Sequence, residues 1–204
     1  MNNQEKFWKE EYAKAYQEKN RTFNREQGIN GWKIMLKEAE NVESLLECGS
    51  NIGRNIDFLS EILPLAKKSI IEINPEAYSF VVNTYKIEDS YNGSICDSNL
   101  PKEKYDLTFT SGVLIHIHPS DLLKNMTKLY EYSKRYILIA EYFNRTPVMI
   151  EYQGEKDRLF KSDFGKTFIS NFPVKLVDYG FLWGHLYDDG GWDDFTYWLF
   201  EKNI

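Results

Sequence analysis

Two acidic residues, Glu47 and Glu72, each lie at or next to the end of an apolar run, and a glycine-punctuated turn follows the first of them. The stretch Leu45-Leu46-Glu47-Cys48-Gly49-Ser50-Asn51-Ile52-Gly53-Arg54-Asn55 reads as strand, loop and helix. In an open α/β sheet, ligands bind beyond the carboxyl ends of the strands. Glycine at 49 and 53 lets the backbone approach a ligand that a Cβ would push away. A dinucleotide fingerprint counted from Gly49 needs glycine where the chain has Asn51 and Arg54. A phosphate-cradling loop needs a Lys-Ser/Thr pair where Asn55 and Ile56 stand. Both are excluded, and what remains is acidic-x-Gly-x-x-x-Gly.

The second acidic residue refines the ligand. Glu72 ends the run Ser69-Ile70-Ile71 about twenty residues after Gly53, where a carboxylate in nucleotide-binding βαβ units accepts both hydrogen bonds of a ribose diol. The plainer reading of Glu72 is a solvated carboxylate at a strand end. Asp97, after Ile95 and Cys96, fits an acceptor for an adenine amino group or equally a turn-forming residue. His116 and His118 flank Ile117 just after Ser111-Gly112-Val113. A histidine there suits a general base for a hydroxyl acceptor, whereas a nitrogen acceptor needs only to be positioned. Packing against a ligand ring, with no proton moved, accounts for His116 as well, and His118 before Pro119 suits a loop. Tyr152, Lys156, Arg158 and Lys161 form a cationic cluster in an otherwise acidic chain, suited to a carboxylate or phosphate or simply to solvent.

The elements that position these residues alternate. Aromatics at Phe7, Trp8, Tyr12 and Tyr16 predict a helix over 4–20, and a second helix is expected over 29–39. Strand 1 covers 44–48, followed by a helix over 54–63 that stops at Pro64. Strand 2 covers 69–73, and Pro75 opens the next helix. Strand 3 is placed at 91–96 and strand 4 at 105–110. A helix capped by Ser120 or Asp121 runs to 132, and strand 5 covers 135–143. Residues 144–162 read as a long functional loop. Strands at 174–181 and 194–202, joined by a Gly-rich loop, form an antiparallel C-terminal hairpin. Alternation of this kind predicts an α/β fold with a mostly parallel sheet and right-handed crossovers. One domain is expected over 1–204, with residues 1–43 as a helical cap on a core of 44–204.

Composition narrows the partners. A net charge of −6 and a pI near 5.2 argue against nucleic acid, whose partners carry broad basic surfaces. The 14 Tyr, 13 Phe and 5 Trp suit a pocket with apolar walls and polar tips, with core packing as the alternative for most of them. Cys48 and Cys96 show no metal-site spacing, so no metal is expected. A reduced cytoplasmic protein follows, with neither signal segment nor membrane span.

The acidic-x-Gly-x-x-x-Gly turn with Glu72 on the next strand resembles motif I and its partner acidic residue in the class I S-adenosylmethionine-dependent methyltransferases. The middle glycine common in that family is Asn51 here. Tyr16-x-x-Lys19-Asn20, the stretch Glu47 to Asn55, Glu72-Ile73-Asn74 and Gly112 to Ile117 resemble a narrower group, the methylases associated with pseudaminic acid biosynthesis. Glu141-Tyr142, Arg158 to Phe164 and Asp193-Asp194 extend that resemblance over nearly the whole chain. It implies a Rossmann-like three-layer sandwich with a seven-stranded sheet and a reversed last strand. It implies S-adenosylmethionine as cofactor, with S-adenosylhomocysteine as product. Cofactor contacts are expected at Tyr16, Asn20, Glu47, Gly49, Ser50, Asn51, Gly53, Arg54, Asn55, Glu72, Ile73, Asn74, Ile95, Cys96, Asp97, Ser111, Gly112 and Val113, with Glu47 near the methionine end. The acceptor, an acidic nonulosonic sugar or its nucleotide-linked form, is expected at Tyr142, Tyr152, Arg158 and Lys161, with His116 as the candidate catalytic base. A protein methyltransferase and a non-catalytic S-adenosylmethionine-fold interaction protein are the alternatives.

Overall fold

In a computed structural model of the chain, the described residues are 5, 8, 9, 23–152 and 155–203, with the side chains of 152–158 outside the description. Helix α1 (Arg25–Met35) leads into β1 (Ser44–Cys48), α2 (Arg54–Ile62), β2 (Lys67–Glu72), α3 (Pro75–Thr84) and β3 (Ile87–Asn92). Then come β4 (Tyr105–Ser111), α4 (Pro119–Tyr132) and β5 (Ser133–Tyr142), a hairpin β6 (Val148–Tyr152) and β7 (Glu155–Lys161), and α5 (Phe164–Asn171). The chain closes with β8 (Val174–Leu182), the short α6 (Gly184–Tyr187) and β9 (Phe195–Lys202). The main sheet has seven strands in the order β3-β2-β1-β4-β5-β9-β8. Strands β1 to β5 are parallel, and β9 runs antiparallel to both β5 and β8.

Strand alternation distributes the apolar residues between two faces. Leu45, Ile70, Leu107, Phe109 and Leu138 face α1, α2 and α3 through Trp32, Phe58 and Val81. Leu46, Ile71, Ile137 and Ile139 face α4 and α5 through Met126, Leu129 and Phe168. Each fully buried side chain of this size contributes about 1.5–3 kcal/mol. This three-layer arrangement agrees with the sequence expectation. The helix expected over 4–20 lies outside the described residues apart from Glu5, Trp8 and Lys9.

Several local expectations are corrected. Strand β3 ends at Asn92, and residues 95–97 form a 3-10 turn. As an edge strand β3 is only partly buried and carries Glu88, Asp89 and Ser90, so its own apolar signal is weak. Residues 144–162 contain the β6–β7 hairpin, a separate two-stranded sheet with register Val148 to Lys161 and Met149 to Phe160. The N-cap of α4 is His118, whose Nδ1 accepts from the Ser120 backbone N–H at 3.2 Å. Helix α1 starts at Arg25, where the Asn24 side chain caps it through the Gln27 backbone N–H at 3.1 Å.

Candidate functional site

The loop between β1 and α2 turns through three left-handed residues, Gly49 (φ 89°), Asn51 (φ 46°) and Gly53 (φ 79°). Asparagine is among the few residues besides glycine that enter this region readily, so Asn51 keeps the turn that a middle glycine would make. At Gly49 there is no room for a side chain, since a Cβ would stand 2.5 Å from Val113 Cγ2. The backbone N–H groups of Gly49 and Ser50 both donate to Ile71 C=O, at 2.8 and 3.2 Å, which ties the loop to β2.

Glu72, at the end of β2, is buried and lines the cavity over this loop. Its Oε2 accepts the Asn51 backbone N–H at 2.6 Å and its Oε1 accepts that of Asn74 at 2.8 Å. The Ile73 backbone N–H also donates to this carboxylate, so three of its roughly four lone-pair directions are taken by backbone. Burial raises the Glu72 pKa above the ordinary carboxylate value, against the lowering effect of these backbone donors.

The cavity runs along the carboxyl ends of β1, β2 and β4. Of the expected cofactor residues, Gly49, Ser50, Asn51, Arg54, Asn55, Glu72, Ile73, Asn74, Ile95, Ser111, Gly112 and Val113 line it. Ile52, Ile71, Gly93, Ser94, Ile117, Asp121, Asn125 and, from the N-terminal segment, Glu5 and Trp8 complete the wall without having been expected. Gly93 and Ser94 were within reach of sequence reasoning as the turn after a strand, had β3 been placed correctly. Gly53 shapes the loop without lining the cavity.

Four of the expected cofactor residues are absent from the lining: Gly53, Glu47, Cys96 and Asp97. Glu47 shares a strand face with Leu45, which points it away from the cavity into the α1/α2 layer. There its Oε1 accepts from Asn55 Nδ2 at 2.7 Å, and Asn55 Oδ1 accepts from Trp32 Nε1 at 3.3 Å. Its Oε2 is buried with no hydrogen-bond partner among the described residues, and burial pushes the carboxyl up to about 8. Cys96 and Asp97 are absent from the lining because the 3-10 turn directs Ile95 inward and leaves Asp97 exposed. Asn74 lines the cavity, but its Oδ1 is committed to capping α3 through Ala77 N–H at 2.9 Å. Tyr16 and Asn20 lie outside the described residues. Glu5, Cys96 and Asp97 place possible ligand atoms within 4.8 Å of one another, a partly exposed grouping of a kind common without an ion.

Glu141 was quoted only as part of a resemblance, and the structure gives it a definite task. Its fully buried carboxylate accepts the backbone N–H groups of Val113, Leu114 and Ile115 at 3.0, 2.9 and 3.4 Å. It thereby holds the loop after β4 that carries Gly112, Val113 and His116 to the cavity. The indole of Trp8 lies against the His116 ring, with centroids 4.4 Å apart.

A second cavity adjoins the first and shares Arg54, Gly112 and His116 with it. Its apolar lining comes from Phe23, Ile115, Tyr142, Ile150, Leu159 and Phe195. Its charged lining comes from Arg54, Lys161, Asp188, Asp189, Asp193 and Asp194. Of the expected acceptor residues, Tyr142 and Lys161 meet here, with the Lys161 ammonium 4.6 Å from the Tyr142 ring centre. The side chains of Tyr152 and Arg158 lie outside the description.

A seven-stranded sheet of this order with a reversed β9, and a glycine-loop cavity at its strand ends, is the Rossmann-like fold of the class I methyltransferases. Solved structures of such enzymes superpose on the chain. Magnesium protoporphyrin IX methyltransferase from Synechocystis, with bound S-adenosylmethionine, matches at a TM-score of 0.69 and 11% identity over 100% of this chain and 99% of that one. A Burkholderia thailandensis 1,6-didemethyltoxoflavin N1-methyltransferase, with bound S-adenosylhomocysteine, matches at 0.68 and 10% over 89% and 80%. A Leishmania major S-adenosylmethionine-dependent methyltransferase matches at 0.69 and 18% over 87% and 72%. No family model and no curated protein sequence matches the chain. Among the described residues no helix is long and apolar enough to cross a membrane.

Proposed function

We propose that the chain is an S-adenosylmethionine-dependent methyltransferase acting on a small-molecule acceptor. One observation carries the reading: a buried carboxylate, Glu72, lines the cavity and pins the tip of a loop that has no room for a side chain at Gly49. In this reading Glu72 holds the ribose diol, the 93–95 turn and Ile73 flank the base, and the loop over Gly49 to Asn51 accepts the methionine end. The donor chemistry is that of a sulfonium, whose methyl carbon is electrophilic.

The chain's own residues then have to bring an acceptor to that carbon and keep water out. The second cavity supports this role because it shares Gly112 and His116 with the lining of the first. His116 at the junction can take the proton of a hydroxyl acceptor. For a nitrogen acceptor, positioning at about 3 Å suffices. The finer reading, an acidic nonulosonic sugar, draws on the sequence resemblance alone. Among the described residues the second cavity lends it no support, since four aspartates stand there beside two cations.

Titration of S-adenosylhomocysteine into the full chain by calorimetry tests the proposal. Saturable one-to-one binding, weakened in Glu72→Ala by roughly ten- to a hundredfold, is expected. Absence of binding at about 1 mM, weaker than about 4 kcal/mol, would overturn it.

A further inference from the structure

Asp97, the acceptor expected for the base, is exposed and off the lining of the first cavity. A different side chain, on a different element, is placed to do that work. We infer that Asn125 reads the base of the donor nucleoside by accepting from an exocyclic amino group, so that the site takes a 6-amino purine and rejects a 6-oxo one. This inference rests on the donor-site reading above and names the residue that sets its choice of base.

Asn125 lies in the middle of α4, is only 4% exposed, and lines the cavity. Its Nδ2 donates to the Asp121 backbone C=O at 2.9 Å. A carbonyl can only accept, so that contact fixes which end of the carboxamide is nitrogen. Oδ1 is then left as an acceptor with no hydrogen-bond partner among the described residues. As packing, a carboxamide here gains little. Leucine would fill a position between Asp121 and Leu129 on this helix without burying a polar atom.

The helix face that carries Asn125 is locked to the turn that flanks the base. Further along it, Lys128 Nζ and the Tyr132 hydroxyl both donate to Ser98 C=O, at 2.8 and 2.7 Å. Ile95 of that turn packs in one cluster with Met126 and Leu129. Within the turn the acceptors are already engaged. Ser94 C=O takes the Asp97 N–H at 3.2 Å, and Ile95 C=O takes both the Ser98 N–H and the Ser98 hydroxyl, at 3.2 and 2.6 Å. Glu5 and Asp121 also line the cavity, but both are partly exposed. A solvated carboxylate that loses a partner recovers one from water, whereas a buried acceptor does not, so the buried group discriminates more sharply. A 6-oxo base would set its carbonyl oxygen against Oδ1 and leave both acceptors unpaired.

S-adenosylhomocysteine and S-inosylhomocysteine carry an amino and an oxo group at the purine 6-position, which makes them the probes. Each is titrated by calorimetry into the full chain. S-adenosylhomocysteine is expected to bind at least about tenfold more tightly. In Asn125→Leu, and in Asn125→Ala, which removes the same acceptor without adding bulk, the preference should fall to within about threefold. Asp121→Ala and Glu5→Ala should keep it. The ratio of two affinities is the readout, since a general loosening of the site moves both constants together. Equal affinities in the natural chain, a preference that survives both Asn125 variants, or one that vanishes in Asp121→Ala or Glu5→Ala would each overturn the inference and leave the donor-site reading standing. Loss of all binding in both Asn125 variants would assign the residue to the fold and overturn it too. Failure of S-adenosylhomocysteine to bind the natural chain would instead remove the donor-site reading, and this inference with it.

Discussion

The Glu72 carboxylate holds the Asn51 backbone N–H at 2.6 Å, so the side chain that lines the cavity also fixes the loop forming the cavity's floor. In the proposed donor site, ligand contact and loop geometry are coupled through one residue. Glu72→Ala should therefore weaken S-adenosylhomocysteine binding by roughly 1.5–3 kcal/mol, the scale of charge-assisted hydrogen bonds, with the fold retained. Calorimetry with circular dichroism on the same samples checks both statements. Unchanged affinity would mean that Glu72 serves the loop alone.

Gly49 combines a left-handed φ with a neighbour, Val113, that leaves no space for a Cβ. Gly49→Val is expected to abolish detectable cofactor binding while the protein still expresses in soluble form. Trimming the obstacle in Gly49→Ala/Val113→Ala relieves the clash and leaves the backbone strain, about 1 kcal/mol. Binding should then return only in part. Cys48→Ser, by contrast, alters a fully buried core position and should lower stability without changing affinity. A Gly49→Val protein that binds normally would show the loop to be structural.

Glu141 accepts three backbone N–H groups with its two carboxylate oxygens. In Glu141→Gln one of those oxygens becomes an NH2 group, which cannot accept and faces a donor. Urea unfolding should show a loss of about 1–3 kcal/mol. S-adenosylhomocysteine affinity should fall as well, because the loop carrying Gly112 and Val113 loses its anchor. A stable variant with normal affinity would sink this account of the loop.

Burial raises the Glu47 carboxyl from 4.5 to about 8. A carboxyl whose folded pKa exceeds its unfolded one binds its proton more tightly in the native state. Its contribution to stability is then full below about 4.5 and is lost as pH rises through about 8. Glu47→Gln keeps the shape and removes the titration. The pH slope of stability between 5 and 8 should be shallower in the variant by up to one proton equivalent, about 1.4 kcal/mol per pH unit. Melting curves of both proteins over that range, converted to free energies, provide the comparison. Parallel slopes would show that Glu47 is ionised in the folded state at neutral pH.

The central strands and the glycine loop were legible in the sequence because their signals are local. Strands β1, β2, β4 and β5 are buried on both faces and so appear as apolar runs, and Gly49 and Gly53 mark a turn that only left-handed residues can make. The same sequence determined that Glu72 ends β2 at the distance a nucleotide site requires. Tertiary structure alone decided the rest. Edge position let β3 be polar and so concealed its placement, and the β6–β7 hairpin packs outside the main sheet, where no strict alternation is imposed. Side-chain alternation within β1 put Glu47 under the cavity instead of in it, a depth that no spacing of glycines reveals. Folding also carries Asp188 to Asp194 from the far end of the chain to the cavity that Arg54 and Tyr142 line. Which charges meet in a cavity depends on how distant turns are packed together, and that information is held in no single stretch of the chain.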